Sequence, residues 1–216
     1  MLALHDYLSP SSAYKMYKDE LIPIFCKHDL LCYHATRIDS KETIFQNGLV
    51  VNKEQYLSFI SKFLKNEKVP NIKIDEAVHL IDVEFERKLK DNPHRVCFFT
   101  NLDSLHDKEG LARYDVFCGN VGGEMARWAL EHKMLDVFHI LHTKGVPVAI
   151  AFRAPFSKIV DIYQYETIHQ FVVAVAAKFF WNYDYIIKTE GSLNCIVEPS
   201  SIISIDEVDE REMQLL

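Results

Sequence analysis

Three short β-rich runs follow one another near the C-terminal end of the sequence, and they constrain the fold more than any other feature. They read YDYIIKTEG, SLNCIVEP and SIISIDEV, with turn residues between them. Earlier runs typical of strands are LLCYH, HRVCFFTNL, VPVAIAFRAP and KIVDIY, with helices placed irregularly among them. Because this order lacks the regular strand–helix alternation of a doubly wound sheet, it predicts an α+β fold with a mixed, mainly antiparallel sheet.

Helical spacing dominates between about residues 52 and 92. The segments QYLSFISKFLKN and DEAVHLIDVEFERKLKDN place apolar residues three and four apart, with charges between them. Nothing in the composition marks a linker, and 216 residues with 49% hydrophobic content suit one well-filled core. The sequence therefore predicts a single domain over residues 1–216 with a helical insertion at about 52–92.

Composition limits the classes of function. The net charge is −7, with an acidic tail from Asp206, so no broad basic surface for duplex nucleic acid is expected. The five cysteines are scattered and the ten histidines dispersed, which predicts neither a disulfide framework nor a metal site. No apolar run is long enough to cross a membrane, and the N-terminus lacks a signal-peptide pattern. We expect a soluble, cytoplasmic protein with reduced thiols.

Two predicted strands end in residues whose side chains could bind a ligand. The first strand passes into Tyr33-His34-Ala35-Thr36-Arg37, which would offer a ring, an imidazole, a hydroxyl and a guanidinium to a ligand beyond the sheet edge. A histidine in such a place is more commonly a hydrogen-bonded structural residue. The second strand ends in Phe98-Phe99-Thr100-Asn101, where the phenylalanines are more commonly core residues.

Two later segments also contain candidate site residues. The run CGNVGGE brings Gly122, Gly123 and Glu124 to the start of a helix. Such glycines allow a close approach to a phosphate, although a tight turn capped by the acid explains them equally well. Glu190 comes before a predicted Gly-Ser turn, and Glu198 before Pro199. Exposed strand-end carboxylates are the commoner explanation for each of these two taken alone.

The order of these pieces resembles the ADP-ribosyltransferase superfamily, which includes poly-ADP-ribose polymerase catalytic domains and bacterial NAD-consuming toxins. The resemblance lies in YHATR on the first strand, IFQNGL after it, the aromatic strand VCFFTN and a late glutamate ahead of PSSIISI. The sequence departs from the family's His-Gly-Thr/Ser pattern at Ala35. It also has Phe98 and Phe99 where the family's second strand commonly has a tyrosine.

The resemblance implies a glycosyltransferase that cleaves the nicotinamide–ribose bond of NAD, its co-substrate. By this resemblance, His34 would form a hydrogen bond with a ribose hydroxyl. The backbone at Ala35 would bind the nicotinamide carboxamide. Thr36 and Arg37 would reach the phosphate side, and Tyr33 would be a further NAD-binding residue of the same segment. Phe98 or Phe99, near Thr100, would pack on the nicotinamide ring. A glutamate would stabilise the oxocarbenium-like transition state.

Glu190 is favoured as that glutamate, then Glu124 and Glu198, because Glu190 precedes PSSIISI by about one short strand. The resemblance also implies a macromolecular acceptor, and the acidic charge balance favours a protein over a nucleic-acid base. If the chain is a bacterial or phage-defence toxin, the resemblance implies a neutralising antitoxin as well. Two alternatives remain open: a non-catalytic binding or adaptor module, and a hydrolase that pairs His34 with Cys97, Cys118 or Ser192.

Overall fold

The computed structural model of the chain describes residues 17–50, 52–90, 95–101, 123–142, 145–162, 170–172, 175 and 190–208. Its strands are β1 (Asp29–Ile38), β2 (Arg95–Phe99), β3 (Val146–Pro155), β4 (Ile159–Ile162), β5 (Glu190–Asn194) and β6 (Ile202–Glu207). They form a six-stranded sheet in the order β4-β5-β2-β1-β3-β6. Every described pair is antiparallel, so these strands show none of the parallel pairing that a mixed sheet would contain. The α+β class is confirmed.

Helices lie over residues 53–66 and 71–89, as the apolar spacing predicts, and also elsewhere in the described chain. After a π-helical turn at Tyr17–Leu21, they are α1 (Ile22–Phe25), α2 (Lys41–Asn47), α3 (Lys53–Asn66), α4 (Asn71–Leu89), α5 (Gly123–Leu130) and α6 (Leu135–His142). The Asn52 side chain accepts a hydrogen bond from the Gln55 N–H and so caps α3. Gly48 ends α2 with φ of 71°, a left-handed conformation that glycine adopts without strain.

Apolar side chains gather into two main clusters. The larger one covers one face of the sheet with residues of β1, β2, β3 and β5, including Cys32, Phe98, Ile150 and Leu193. The second belongs to α3, α4, α5 and α6, whose inner residues such as Ile60 and Ile81 are fully buried. Helices over 53–66 and 71–89 thus share a core with later helices. That they are an insertion relative to a family remains a prediction.

Three strands differ from their predicted bounds. β2 ends at Phe99, so Thr100 and Asn101 follow the strand and are not part of it. β1 does not end at His34 but continues to Ile38, because β3 pairs with all ten of its residues from Asp29 to Ile38. The residues from Tyr33 to Arg37 therefore lie within the sheet and not beyond its edge. The predicted Gly-Ser turn after Glu190 is also wrong, since both residues lie inside β5. A Cβ on Gly191 would meet the Phe98 ring, so the glycine makes room for an aromatic side chain.

Candidate functional site

β1 and β2 are joined far less extensively than the other central strands. Tyr33 opposite Phe99 is the single registered pair between them in the described part of the chain, whereas β1 and β3 share ten pairs. Toward Ile38 and Arg95 the β1–β2 ladder stops. Because β1 then pairs with β3 and β2 with β5, the sheet divides at this point into two halves.

An open pocket of about 260 Å³ lies at this division, and we call it the split pocket. Residues of both strands line it, together with the end of α2 and the segment that follows. Its lining residues are His34, Thr36, Arg37, Ile38, Ile44, Gly48, Leu49, Val50, Arg95 and Val96. The structure therefore brings three of the residues predicted from the first strand, His34, Thr36 and Arg37, to one concave site.

The apolar wall of the split pocket is fixed to the segment that follows β5. Leu49 and Val197 exchange two backbone hydrogen bonds of 2.9 and 3.1 Å. Gly48 makes this approach possible, since a Cβ at that position would overlap the Val197 carbonyl oxygen. The segment after α2 is thus held against the sheet, and the pocket has a defined wall on this side.

His34 bridges the two strands where their ladder ends. Its Nδ1–H donates to the Cys97 carbonyl oxygen at 2.8 Å, so the ring supplies a link that backbone pairing does not. Burial lowers the pKa of His34, and the hydrogen bond to Cys97 opposes that shift in part. A neutral ring with its proton on Nδ1 presents Nε2 as an acceptor. Such an atom can accept a hydrogen bond from a ligand hydroxyl.

Two arginines give the split pocket a positive charge. Arg37 is buried, and its guanidinium donates to the Gly145 carbonyl oxygen at 2.8 Å. Arg95 begins β2, and its guanidinium lies 3.9 Å from the nearer carboxylate oxygen of Asp161. Sequence reasoning missed Arg95, because nothing local distinguishes one basic residue at the start of a strand. Only the folded structure identifies it, because it places Arg95 of β2 across the split pocket from Thr36 and Arg37 of β1.

Tyr33, Phe99 and Glu190 form one row across three adjacent strands. Tyr33 lies opposite Phe99 on β2, and Phe99 lies opposite Glu190, the first residue of β5. Directly opposed residues of antiparallel strands project to the same face, so the three side chains share a face. Phe99 packs there with Ala35 and Ala149, and Tyr33 lies against this small cluster. Residues that are far apart in the sequence therefore meet in the sheet.

The remaining predicted residues divide between the two faces. His34 and Thr36 alternate with Tyr33 and Ala35 along β1, so they lie on the face that carries the larger core, as Phe98 does. Glu190 is not one of the described residues that line the split pocket. His34 and Glu190 thus occupy neighbouring rows of the sheet but opposite faces. Thr100 directly follows β2, at the same end of the sheet as Glu190.

The glycine-rich segment is described only where its helix begins. Gly122 lies outside the described residues, while Gly123 and Glu124 form the first turn of α5. Glu198 is exposed and immediately precedes a 3₁₀ turn at Pro199–Ser201. Among the three glutamates, Glu190 is the one that the described strand pairing places beside β2.

The residues of the alternative hydrolase are engaged in other contacts. His34 contacts the carbonyl oxygen of Cys97, and the buried Ser192 hydroxyl donates to Asp161 at 2.9 Å. Cys118 lies outside the described residues.

Within the described ranges, no group of three or more histidine, cysteine, aspartate or glutamate side chains could hold a metal ion. The described helices include none with the length and apolar character needed to span a membrane.

Comparisons with known proteins give no match to a family model, a curated protein or a solved structure. The function is therefore inferred from the geometry of the site and the chemistry of its residues.

Proposed function

We propose that this protein is an NAD-dependent ADP-ribosyltransferase, which cleaves the nicotinamide–ribose bond and transfers ADP-ribose to a macromolecular acceptor. The supporting observation is the adjacency of β1, β2 and β5. These strands carry the histidine segment, the aromatic segment and the glutamate on which the family resemblance rests. Glu190 lies opposite Phe99, and Phe99 lies opposite Tyr33, so the three segments meet in one part of the sheet.

Glu190 supplies the carboxylate in this proposal. Departure of nicotinamide leaves positive charge on the ribose, and a fixed carboxylate beside it lowers the energy of that state. Glu190 is partly exposed and begins β5, so its side chain lies at an end of the sheet that a ligand can approach. Phe99 beside it is buried with Ala35 and Ala149, so it supports the row of the sheet from which Glu190 projects.

The first strand holds the rest of the ligand. His34 Nε2 accepts a hydrogen bond from a ribose hydroxyl, since Nδ1 already donates to Cys97. Neighbouring strands are about 4.8 Å apart, so β1 and β5 are separated by roughly 10 Å across β2. NAD extends over a distance of this order, from the division between β1 and β2 to the end of β5. His34 and Glu190 project from opposite faces, so one ligand contacts both only by passing through the gap where the β1–β2 ladder stops.

The test is release of free nicotinamide from NAD, compared between two substitutions. Glu190→Gln keeps the size of the side chain but removes its charge, so we expect turnover to fall by about 10²-fold with NAD affinity nearly unchanged. His34→Ala removes a contact made before and during reaction, so its loss appears mainly as weaker NAD binding. Glu54→Gln, at an exposed position in the first turn of α3, is the matched control.

Thermal melts first establish that each variant is folded, and a thermal-shift titration measures NAD affinity separately from turnover. Full turnover in Glu190→Gln would reject Glu190 as the carboxylate, and Glu124→Gln and Glu198→Gln would be measured next. NAD binding without any nicotinamide release would instead identify a binding module. The acceptor, a protein or a nucleic-acid base, is then found by incubating the active protein with labelled NAD and each class in turn.

A further inference from the structure

The polar side chains of the split pocket are neutral or cationic. Arg37 and Arg95 line it together with His34 and Thr36, and none of the described residues that line it is acidic. Arg37 is buried, so its charge is screened less by water than a surface charge would be. The remaining lining, which includes Ile38, Ile44 and Leu49, is apolar. A concave site of this composition favours a ligand that carries negative charge on an otherwise compact body.

Arg95 contacts Asp161, a carboxylate that is not among the described residues lining the split pocket. Ser192 is fully buried and donates to one oxygen of Asp161 at 2.9 Å, and that same oxygen lies 3.9 Å from the Arg95 guanidinium. Asp161 and Ser192 are themselves opposed in the β4–β5 ladder. The carboxylate is therefore held by two strands and a buried hydroxyl. A guanidinium has five N–H donors in a planar fork, so it can face such a carboxylate and still bind a phosphate.

We propose that Arg95 is a specificity-determining residue that makes the split pocket select phosphate-bearing ligands, with Asp161 as its positioning residue. ADP-ribose keeps both phosphates after nicotinamide has left, whereas nicotinamide carries no charge. Free ADP-ribose, which forms when water takes the place of the acceptor, therefore competes with NAD for this pocket, and nicotinamide competes weakly. The choice of ADP-ribose rests on the proposed function, while the preference for phosphate rests on the pocket alone.

Calorimetric titration of the whole chain with ADP-ribose, inorganic pyrophosphate and nicotinamide tests this proposal. We expect ADP-ribose and pyrophosphate to bind and to displace one another, with affinities that fall as the salt concentration rises. Arg95→Gln should weaken both by at least about tenfold, because a charge-assisted hydrogen bond is lost. Arg95→Lys keeps the charge and should recover part of the affinity. Arg153→Gln, an exposed arginine on β3, is the control that should leave binding unchanged.

The variant Asp161→Asn tests whether Asp161 positions the Arg95 side chain or only links β4 to β5. If Asp161 orients Arg95, the variant should weaken pyrophosphate binding while the protein remains folded in a thermal melt. Unchanged pyrophosphate binding in folded Arg95→Gln would overturn the proposal, as would equal weakening in Arg153→Gln or nicotinamide binding that depends on Arg95. Absence of pyrophosphate binding by the unsubstituted protein would overturn it too.

Failure of this proposal and failure of the transferase assignment have different signatures. Phosphate binding that depends on Arg95, in a protein that never releases nicotinamide, would support the pocket and reject the transferase. Nicotinamide release with an unaltered KM in Arg95→Gln would leave the transferase standing and reject the role of Arg95. If both proposals hold, Arg95→Gln raises the KM for NAD with kcat nearly unchanged, since a phosphate contact stabilises ground and transition states alike.

Discussion

Gly191 occupies a position where even one methyl group has no room. An ideal Cβ there would lie 2.5 Å from Cζ of Phe98 and 2.6 Å from the Asp161 carbonyl oxygen. The Phe98 ring is almost fully buried, and the second contact is backbone, so neither neighbour can move away cheaply. Overpacking a core costs about 1–3 kcal/mol, and two such contacts place Gly191→Ala at the upper end of that range. We expect a loss of about 3 kcal/mol, roughly a hundredfold in the folding equilibrium.

Urea denaturation with far-ultraviolet circular dichroism measures this loss as a lower midpoint with an unchanged slope. Asn194→Ala, at an exposed position of the same strand, is the control and should change the stability by no more than about 0.5 kcal/mol. Adding Phe98→Leu to Gly191→Ala removes the ring contact but leaves the carbonyl contact. The pair should therefore cost less than the sum of the single changes. Unaltered stability in Gly191→Ala, or strict additivity with Phe98→Leu, would refute this account of the strand.

Three further outcomes are expected. Gly48→Ala combines a strained φ with overlap of the Val197 carbonyl, so chemical denaturation should show a loss of at least about 2 kcal/mol. Tyr56→Phe should raise stability by about 1 kcal/mol in the same assay, because the buried Tyr56 hydroxyl has no hydrogen-bond partner among the described residues and Phe keeps the ring packing; a loss of stability would contradict this. Burial lowers the pKa of His34 below its ordinary 6.5, so the unfolded chain binds a proton first as the pH falls. Stability should therefore decrease on acidification from about pH 7 toward the folded pKa, and His34→Gln should reduce that dependence.

Local patterns were sufficient to predict the elements whose causes are local. The helices α3 and α4 follow from apolar residues spaced three and four apart. The strand β3 follows from a long apolar run closed by Pro155. In each of these elements, the pattern that predicts the structure involves residues only a few positions apart in the sequence. The Gly-Ser pair after Glu190 carries the same local signal as a turn, yet the Phe98 ring on another strand requires glycine there.

Strand register is the part of the site that local sequence does not contain. Side chains alternate between faces with a period of two, so a shift of one residue would put His34 in place of Tyr33 on the face that Glu190 occupies. β1 provides little internal sign of its register, because buried residues occur on both of its faces, with Cys32 on one and Ala35 on the other. Its register is instead fixed by ten pairs with β3 and one with β2. The near absence of described pairing on the β2 side is what opens the split pocket beside Arg95. The position that most affects ligand choice in our proposals therefore depends on where a ladder stops, which is a property of three strands together and of none of them alone.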